Sequence, residues 1–287
     1  MQYVNENQKE IRVQFIYHSS FLVELPEGYL LFDYYQGELP ELDPEKPLYV
    51  FASHGHYDHF STVIFQLIRK YPRTVYILSD DISERLCREA VQEMEIDPPE
   101  IRWISPGIEY TFPGFRVEAF GSTDLGVSFL IEAGGRVVFH AGDLNDWCWT
   151  HVPLSQNAKM QKDYLAELEK LKGAVLGVNR SPAAVGSDET SAEASGKPGQ
   201  IDLAMIPMDP VLGKGQSQGP LEFLERIPVK HAFPMHMWER YSVGGEFLAE
   251  HPEYWGVFHP IRKDGERFVL KADGTFGLEK CRVRCRM

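Results

Sequence analysis

The sequence lacks any long apolar run. No stretch approaches the roughly 20 residues that a bilayer-crossing helix needs, and the opening MQYVNENQKE is polar, without the apolar centre of a signal peptide. The expectation is a cytoplasmic protein with no membrane partner. Cysteine is scarce, with only Cys87, Cys148, Cys281 and Cys285. A chain of 287 residues needs no disulfide framework, so the thiols read as reduced. Cys281 and Cys285 share a basic tail with no second pair elsewhere, and they read as tail residues in preference to a zinc site. Positive charge is also short: 29 Lys and Arg stand against 42 Asp and Glu, a net charge of -13. An acidic surface repels phosphate backbones at long range, which argues against nucleic acid as the partner.

What is present is enough apolar material for a large core, at 43% of residues. Alternation and turn residues give strands over 11–17, 20–25 and 29–33, then a short apolar strand over 48–53. A helix over 61–70 follows, with Ser61 as N-cap. Next come a strand over 74–78 and a helix over 81–95 capped by Asp80-Asp81. Strands return over 116–120, 127–132 and 136–140, the last two joined by the turn Gly134-Gly135. A helix over 159–171, a strand over 201–206, a helix over 219–226 and a strand over 231–234 complete the alternating part. Strand-like pieces at 255–259 and 267–270 are suited to closing a sheet edge. Residues 173–200 are rich in Ala, Ser, Gly and Pro, and read as a flexible insertion in a single domain spanning 1–287. The pattern is that of an α/β protein.

The chemistry concentrates directly after the apolar strand, in His54-Gly55-His56-Tyr57-Asp58-His59. In extended backbone, His-x-His puts both imidazoles on one side. Asp58 and His59 then require a turn to point elsewhere. Four ligand types within six residues suit two adjacent metal ions, and mixed nitrogen and carboxylate donors suit zinc first, with manganese or iron as alternatives.

SHGHYDHF resembles the H-x-H-x-D-H signature of the metallo-β-lactamase superfamily. HAGDLN resembles the superfamily's strand ending in Gly-Asp, whose aspartate bridges two metals; here that is Asp143. FPMHMW resembles the late strand end that gives the second metal a histidine; here that is His236. YHSSFLVEL and LLFDYY are similar to the opening of the ascorbate-phosphate lactonase-like branch, with His18 and Asp33 at its characteristic early positions. The resemblance implies a four-layer αβ/βα sandwich with one or two divalent ions at the sheet edges. It makes His54, His56, Asp58, His59, Asp143 and His236 the metal ligands, with Asp58 and His59 catalytic.

The sequence departs from the superfamily in one place. Where a further histidine usually completes the first metal's ligands, this chain has AFGSTDLGVSFLIE, with Ser122 in its place. A serine hydroxyl is a poor zinc ligand, so the first site is weak, recruits Asp124 or another nearby side chain, or is empty. Asp33 is a candidate for fixing a histidine ring from behind the ligands. His18, Trp147 and Cys148 are candidates for lining the pocket. The expected activity is hydrolysis of a small, anionic ester, lactone or phosphoester by a metal-activated water. A single-iron oxidoreductase and a non-catalytic metal-binding protein are the alternatives. A homo-oligomer is compatible with the sequence.

Overall fold

The computed structural model describes residues 10–177, 184–185, 199–271 and 274–279. Cys281, Cys285 and most of the 173–200 insertion lie outside the described residues.

Two sheets form the frame. The first takes strands β1 (Ile11–Tyr17), β2 (Ser20–Leu25), β3 (Gly28–Phe32), β4 (Leu48–Ala52), β5 (Thr74–Ser79) and β6 (Ile101–Ile104) in chain order. Two late strands, β14 (Arg267–Leu270) and β15 (Phe276–Leu278), extend it beyond β1. The second is built from β7 (Glu109–Phe112), β8 (Phe115–Phe120), β9 (Ser128–Ala133), β10 (Arg136–His140), β11 (Ala184–Val185), β12 (Ile201–Pro207) and β13 (Val229–Met235). Its order is β11-β7-β8-β9-β10-β12-β13.

Period-two alternation sorts the side chains between layers. In β3, Leu30 and Phe32 join the core between the sheets, while Tyr29 and Leu31 face the outer layer. In β4, Phe51 points inward, and Leu48, Val50 and Ala52 point outward. The outer face of the first sheet is covered by a 3-10 helix over Thr62–Arg69 and by α1 (Glu84–Glu93), through Ile64, Phe65, Cys87, Ala90 and Val91. The second sheet is covered by α2 (Leu154–Leu176), α3 (Gln218–Arg226) and α4 (Ser242–Glu250), through Leu168, Leu171, Phe223 and Phe247. The layers run helix, sheet, sheet, helix, as the resemblance implies.

Several sequence-based expectations need correction. The segment after the histidine cluster is 3-10, though Ser61 does cap it. The cap of α1 is Ser83, whose side chain accepts from Leu86 N. Asp81 instead accepts from Gly55 N at 2.9 Å, bracing the histidine loop. The helix expected over 159–171 is longer at both ends, and its last turn takes in the beginning of the presumed insertion. Ala184–Val185 pairs in parallel with β7. Residues 255–259 form no strand; Phe258 makes only isolated bridges, one of them to Ala232. The helix α4 carried no clear sequence signal.

β3, β4 and β5 are parallel, as are β10, β12 and β13. The segments that follow β3, β4, β10, β12 and β13 therefore leave their sheets at carboxyl ends, where α/β folds place their sites. These exits carry Asp33, His54 to His59, Asp143, Asp209 and His236.

Candidate metal centre

The histidine loop folds as its sequence requires. Past Ala52 the chain leaves the sheet, and a turn closes where His59 N and Phe60 N both donate to His56 O, at 3.1 and 2.8 Å. This turn sends His54 and His56 one way, and Asp58 and His59 the other. His54 Nε2 lies 3.0 Å from His56 Nδ1.

Asp143 sits between these two directions. Its Oδ1 is 3.1 Å from His59 Nε2 and 2.9 Å from His236 Nε2, while its Oδ2 is 3.5 Å from His54 Nε2. Two groups of potential ligand atoms result, each with its atoms within 4.8 Å of one another: His18, Asp58, His59 and His236, and His54, His56, Asp124 and Asp143. The first group is wholly buried, whereas His56 and Asp124 in the second are exposed.

A ring of polar contacts behind the potential ligands aims them. Asp33, fully buried, has Oδ2 2.7 Å from His59 Nδ1, and it accepts from Ser53 N and Ser53 Oγ, both at 2.7 Å. Burial alone would raise the Asp33 carboxyl, but the imidazoles of His140 and His59 hold it below its ordinary range. It is therefore an acceptor, which places the proton of His59 on Nδ1 and leaves Nε2 facing the cluster. His140 was not anticipated from the sequence. Its Nε2 donates to Ser19 O at 2.9 Å, its Nδ1 accepts from Gly142 N at 3.2 Å, and its ring stacks on Phe32 at 4.9 Å. Burial lowers its pKa, and its two contacts make it a strut between the β1–β2 turn and the Asp143 loop. Asp209, also unanticipated, faces His236 Nδ1 at 3.5 Å and accepts from Trp238 Nε1 at 3.1 Å. Neither residue had a recognisable motif; each is simply the polar group at or just beyond a strand end.

The backbone bends sharply to present these groups. His18, Asp33 and His236 have φ of 50°, 43° and 65°, a region that non-glycine residues seldom enter. Each such residue costs on the order of 1–3 kcal/mol unless its surroundings hold it. Here they do: His236 N donates to His18 O at 3.1 Å, tying two of the strained residues together.

The donor chemistry fits a divalent cation. His59 Nε2 and His236 Nε2 are 2.7 Å apart, with Asp143 Oδ1 beside both. Asp143 Oδ1 makes no hydrogen bond of acceptable geometry. Lone pairs converging in this way repel unless a cation or protons lie among them. Burial lowers His59 and His236, but Asp143 acts on both in the opposite sense; His59 ends well above its ordinary value and His236 rises to about 9. The cluster thus draws positive charge.

The remaining candidates separate. Ser122 Oγ accepts from Asp124 N at 3.2 Å. Trp147 is buried beside the centre, with Nε1 donating to Asp143 O at 3.0 Å and its ring 5.8 Å from that of His236. Cys148 belongs to neither group and packs against Gly215.

Residues 31–237 match the beta-lactamase superfamily domain. With the two-sheet sandwich and the histidine loop at its edge, this places the chain in the metallo-β-lactamase superfamily. A UPF0173 metal-dependent hydrolase of Methylacidiphilum infernorum is 23% identical over 145 residues, covering 46% of this chain and 62% of that protein. The match thus spans under two thirds of the curated relative's length. Among solved structures, the fold is similar to Igni18, a metallo hydrolase of Ignicoccus hospitalis, at a TM-score of 0.57 and 13% identity, covering 91% of this chain and 99% of that one. It is also similar to CmlA, a diiron β-hydroxylase of Streptomyces venezuelae, at 0.56 and 12%, covering 92% of this chain and 54% of that one. Among the described residues no helix is long and apolar enough to cross a membrane.

Proposed function

We propose that the protein is a metal-dependent hydrolase acting on a small ester, lactone or phosphoester, with His54, His56, Asp58, His59, Asp143 and His236 as metal ligands. The observation that carries this reading is the placement of Asp143, with one oxygen toward His59 and His236 and the other toward His54. A divalent ion held there supplies Lewis-acid chemistry, making a water nucleophilic near neutral pH and polarising the oxygen under attack.

The chain's own groups do the rest. Burial raises the Asp58 carboxyl, but His18, with Nε2 3.4 Å away, and the imidazoles of His59 and His236 bring it down to about 2. It is ionised at neutral pH and available to orient a water by accepting its proton in a hydrogen bond. Asp33 keeps His59 in one tautomer. Tyr57, between His56 and Asp58, and Leu125 and Trp238, beside Asp124 and two residues past His236, are exposed by 74%, 47% and 41% and offer apolar surface to the non-reacting part of a substrate. The Methylacidiphilum relative's description as a metal-dependent hydrolase supports the reaction class.

The test is a screen of lactones and phosphodiesters against protein loaded in turn with zinc, manganese and iron. Turnover that disappears in His59→Ala, with the circular dichroism spectrum kept, is the expected result. A second reading, an iron oxidoreductase, draws on the mixed imidazole and carboxylate donors, which also suit iron. Copurified iron with substrate-dependent oxygen uptake would favour it. Metal binding with no turnover of any kind would leave a non-catalytic metal protein.

A further inference from the structure

We propose that the two ligand groups form two unequal metal sites: a buried, tight one in which His18 is a direct ligand beside Asp58, His59 and His236, and an exposed, exchangeable one in which Asp124 takes the missing histidine's place beside His54, His56 and Asp143. The proposal rests on the metal-dependent reading above and assigns two ligands beyond it.

His18 is 3% exposed, and neither of its ring nitrogens has a hydrogen-bond partner. Burying a polar atom without a partner is costly, so an imidazole left in this way calls for another partner. Its ring packs against those of His236 and Trp238, each with a centroid separation of 4.1 Å. Its Nε2 faces Asp58 Oδ2 at 3.4 Å. A ring packed against two neighbours, with a free nitrogen turned to a carboxylate and two imidazoles, is placed as a ligand. The side chains of His18 and Asp58 are only 1% and 12% exposed, so water competes poorly there.

Asp124 is held differently. Thr123 Oγ1 accepts from Asn145 N at 2.9 Å and donates to Asn145 O at 2.6 Å, pinning the Asp124 loop to the loop that carries Asp143. Asp124 Oδ2 then stands 3.3 Å from His56 Nδ1. The side chains of this pair are 46% and 42% exposed, so water has access to the site and its ion leaves more readily. The donors differ too: three imidazoles in the buried group and two in the exposed group, with Asp143 turned toward both. Imidazole suits zinc, iron and copper, whereas added carboxylate suits manganese and magnesium.

The experiment uses the full chain, stripped with a chelator, dialysed, and titrated with zinc against a chromophoric competitor. Retained metal is counted by elemental analysis. Wild type should bind two equivalents in two steps at least tenfold apart. Asp124→Ala should lose the weak step and keep the tight one, and Asp124→His should strengthen the weak step at least tenfold. His18→Phe retains a ring against His236 and Trp238 without a nitrogen donor, and should weaken the tight step at least tenfold. His18→Asn, which tolerates positive φ, should do the same, and metal-free melting temperatures check that each variant folds. The proposal is overturned if wild type shows two indistinguishable steps, if Asp124→Ala keeps both steps, or if both His18 variants keep the tight one. A wild type that binds no zinc, manganese or iron overturns the metal-dependent reading itself.

Discussion

Asp33 fixes His59: its Oδ2 lies 2.7 Å from His59 Nδ1, and neither side chain is exposed at all. The contact connects the end of β3 to the end of the histidine loop. It commits Nδ1 as donor, so Nε2 is the nitrogen presented to Asp143 and His236. In Asp33→Asn the charge is lost and the amide must choose which of its ends meets His59. A partner of this kind behind a ligating histidine typically contributes 10–100-fold in metal affinity. The expected outcome is a loss of that size in the tight zinc step, measured by competition titration. An unchanged step would show that His59 needs no help in holding its tautomer.

Gly126 is the point at which the β8–β9 loop touches the histidine loop. Its φ is 68°, and a Cβ there would lie 2.0 Å from Ser53 O and 2.6 Å from His54 Cβ. Relief requires moving one loop away from the other, because the nearest atom is backbone. Gly126→Ala should therefore destabilise the fold by about 3 kcal/mol, combining overpacking with the cost of a left-handed alanine. The same shift displaces His54, so metal stoichiometry should fall along with the melting temperature. Gly135→Ala, at φ of 71° but with nothing within 4 Å, separates the two costs and should show only the smaller backbone one.

The sequence carried the frame and the histidine loop because each has a local signal. β1 and β2 were legible to the residue from alternation. The His-x-His-x-Asp-His run names its own chemistry. The residues that escaped, His140 and Asp209, act through partners far away in the chain: His140 on Ser19, and Asp209 on Trp238 and His236. No spacing rule reports a contact between separate strand ends. The cap of α1 was misplaced for a related reason. Asp81 fits a cap pattern, yet it is used to hold Gly55, and Ser83 takes the local role.

Asp209 has two duties that a substitution can separate. Its Oδ1 accepts from Val211 N at 2.8 Å, capping a 3-10 turn, and its Oδ2 accepts from Trp238 Nε1 at 3.1 Å. The imidazole of His236 lies farther off, at 3.5 Å. Asp209→Ala should lower stability by about 1–2 kcal/mol through loss of the cap and the indole bond. Metal affinity should fall less than in Asp33→Asn, given the longer approach to the ligand. Asp209→Asn, which keeps an acceptor for Val211 N, should recover most of the stability. Chemical unfolding of the metal-free proteins and zinc titration of each variant measure the two effects separately.

Acid stability should be governed in part by a histidine pair away from the metal centre. His231 Nδ1 lies 2.9 Å from His259 Nε2, and the two rings pack against Phe276 at 4.1 and 4.2 Å. Burial lowers His231 to about 4; Asp202 opposes this, while Lys230 and Arg136 assist. Burial, then the neighbouring His231, lowers His259 to about 3. Unfolded, both would titrate near 6.5. Between those values the unfolded chain binds more protons than the folded one. Stability is therefore whole above about pH 6.5 and is lost as pH falls toward about 4, at on the order of 1 kcal/mol per pH unit for each ring. The double variant His231→Phe, His259→Phe removes both protonation sites and keeps rings against Phe276. Its unfolding free energy should decline less steeply than that of wild type between pH 6.5 and pH 4, when both are metal-free. Parallel curves would assign the acid limb to other groups.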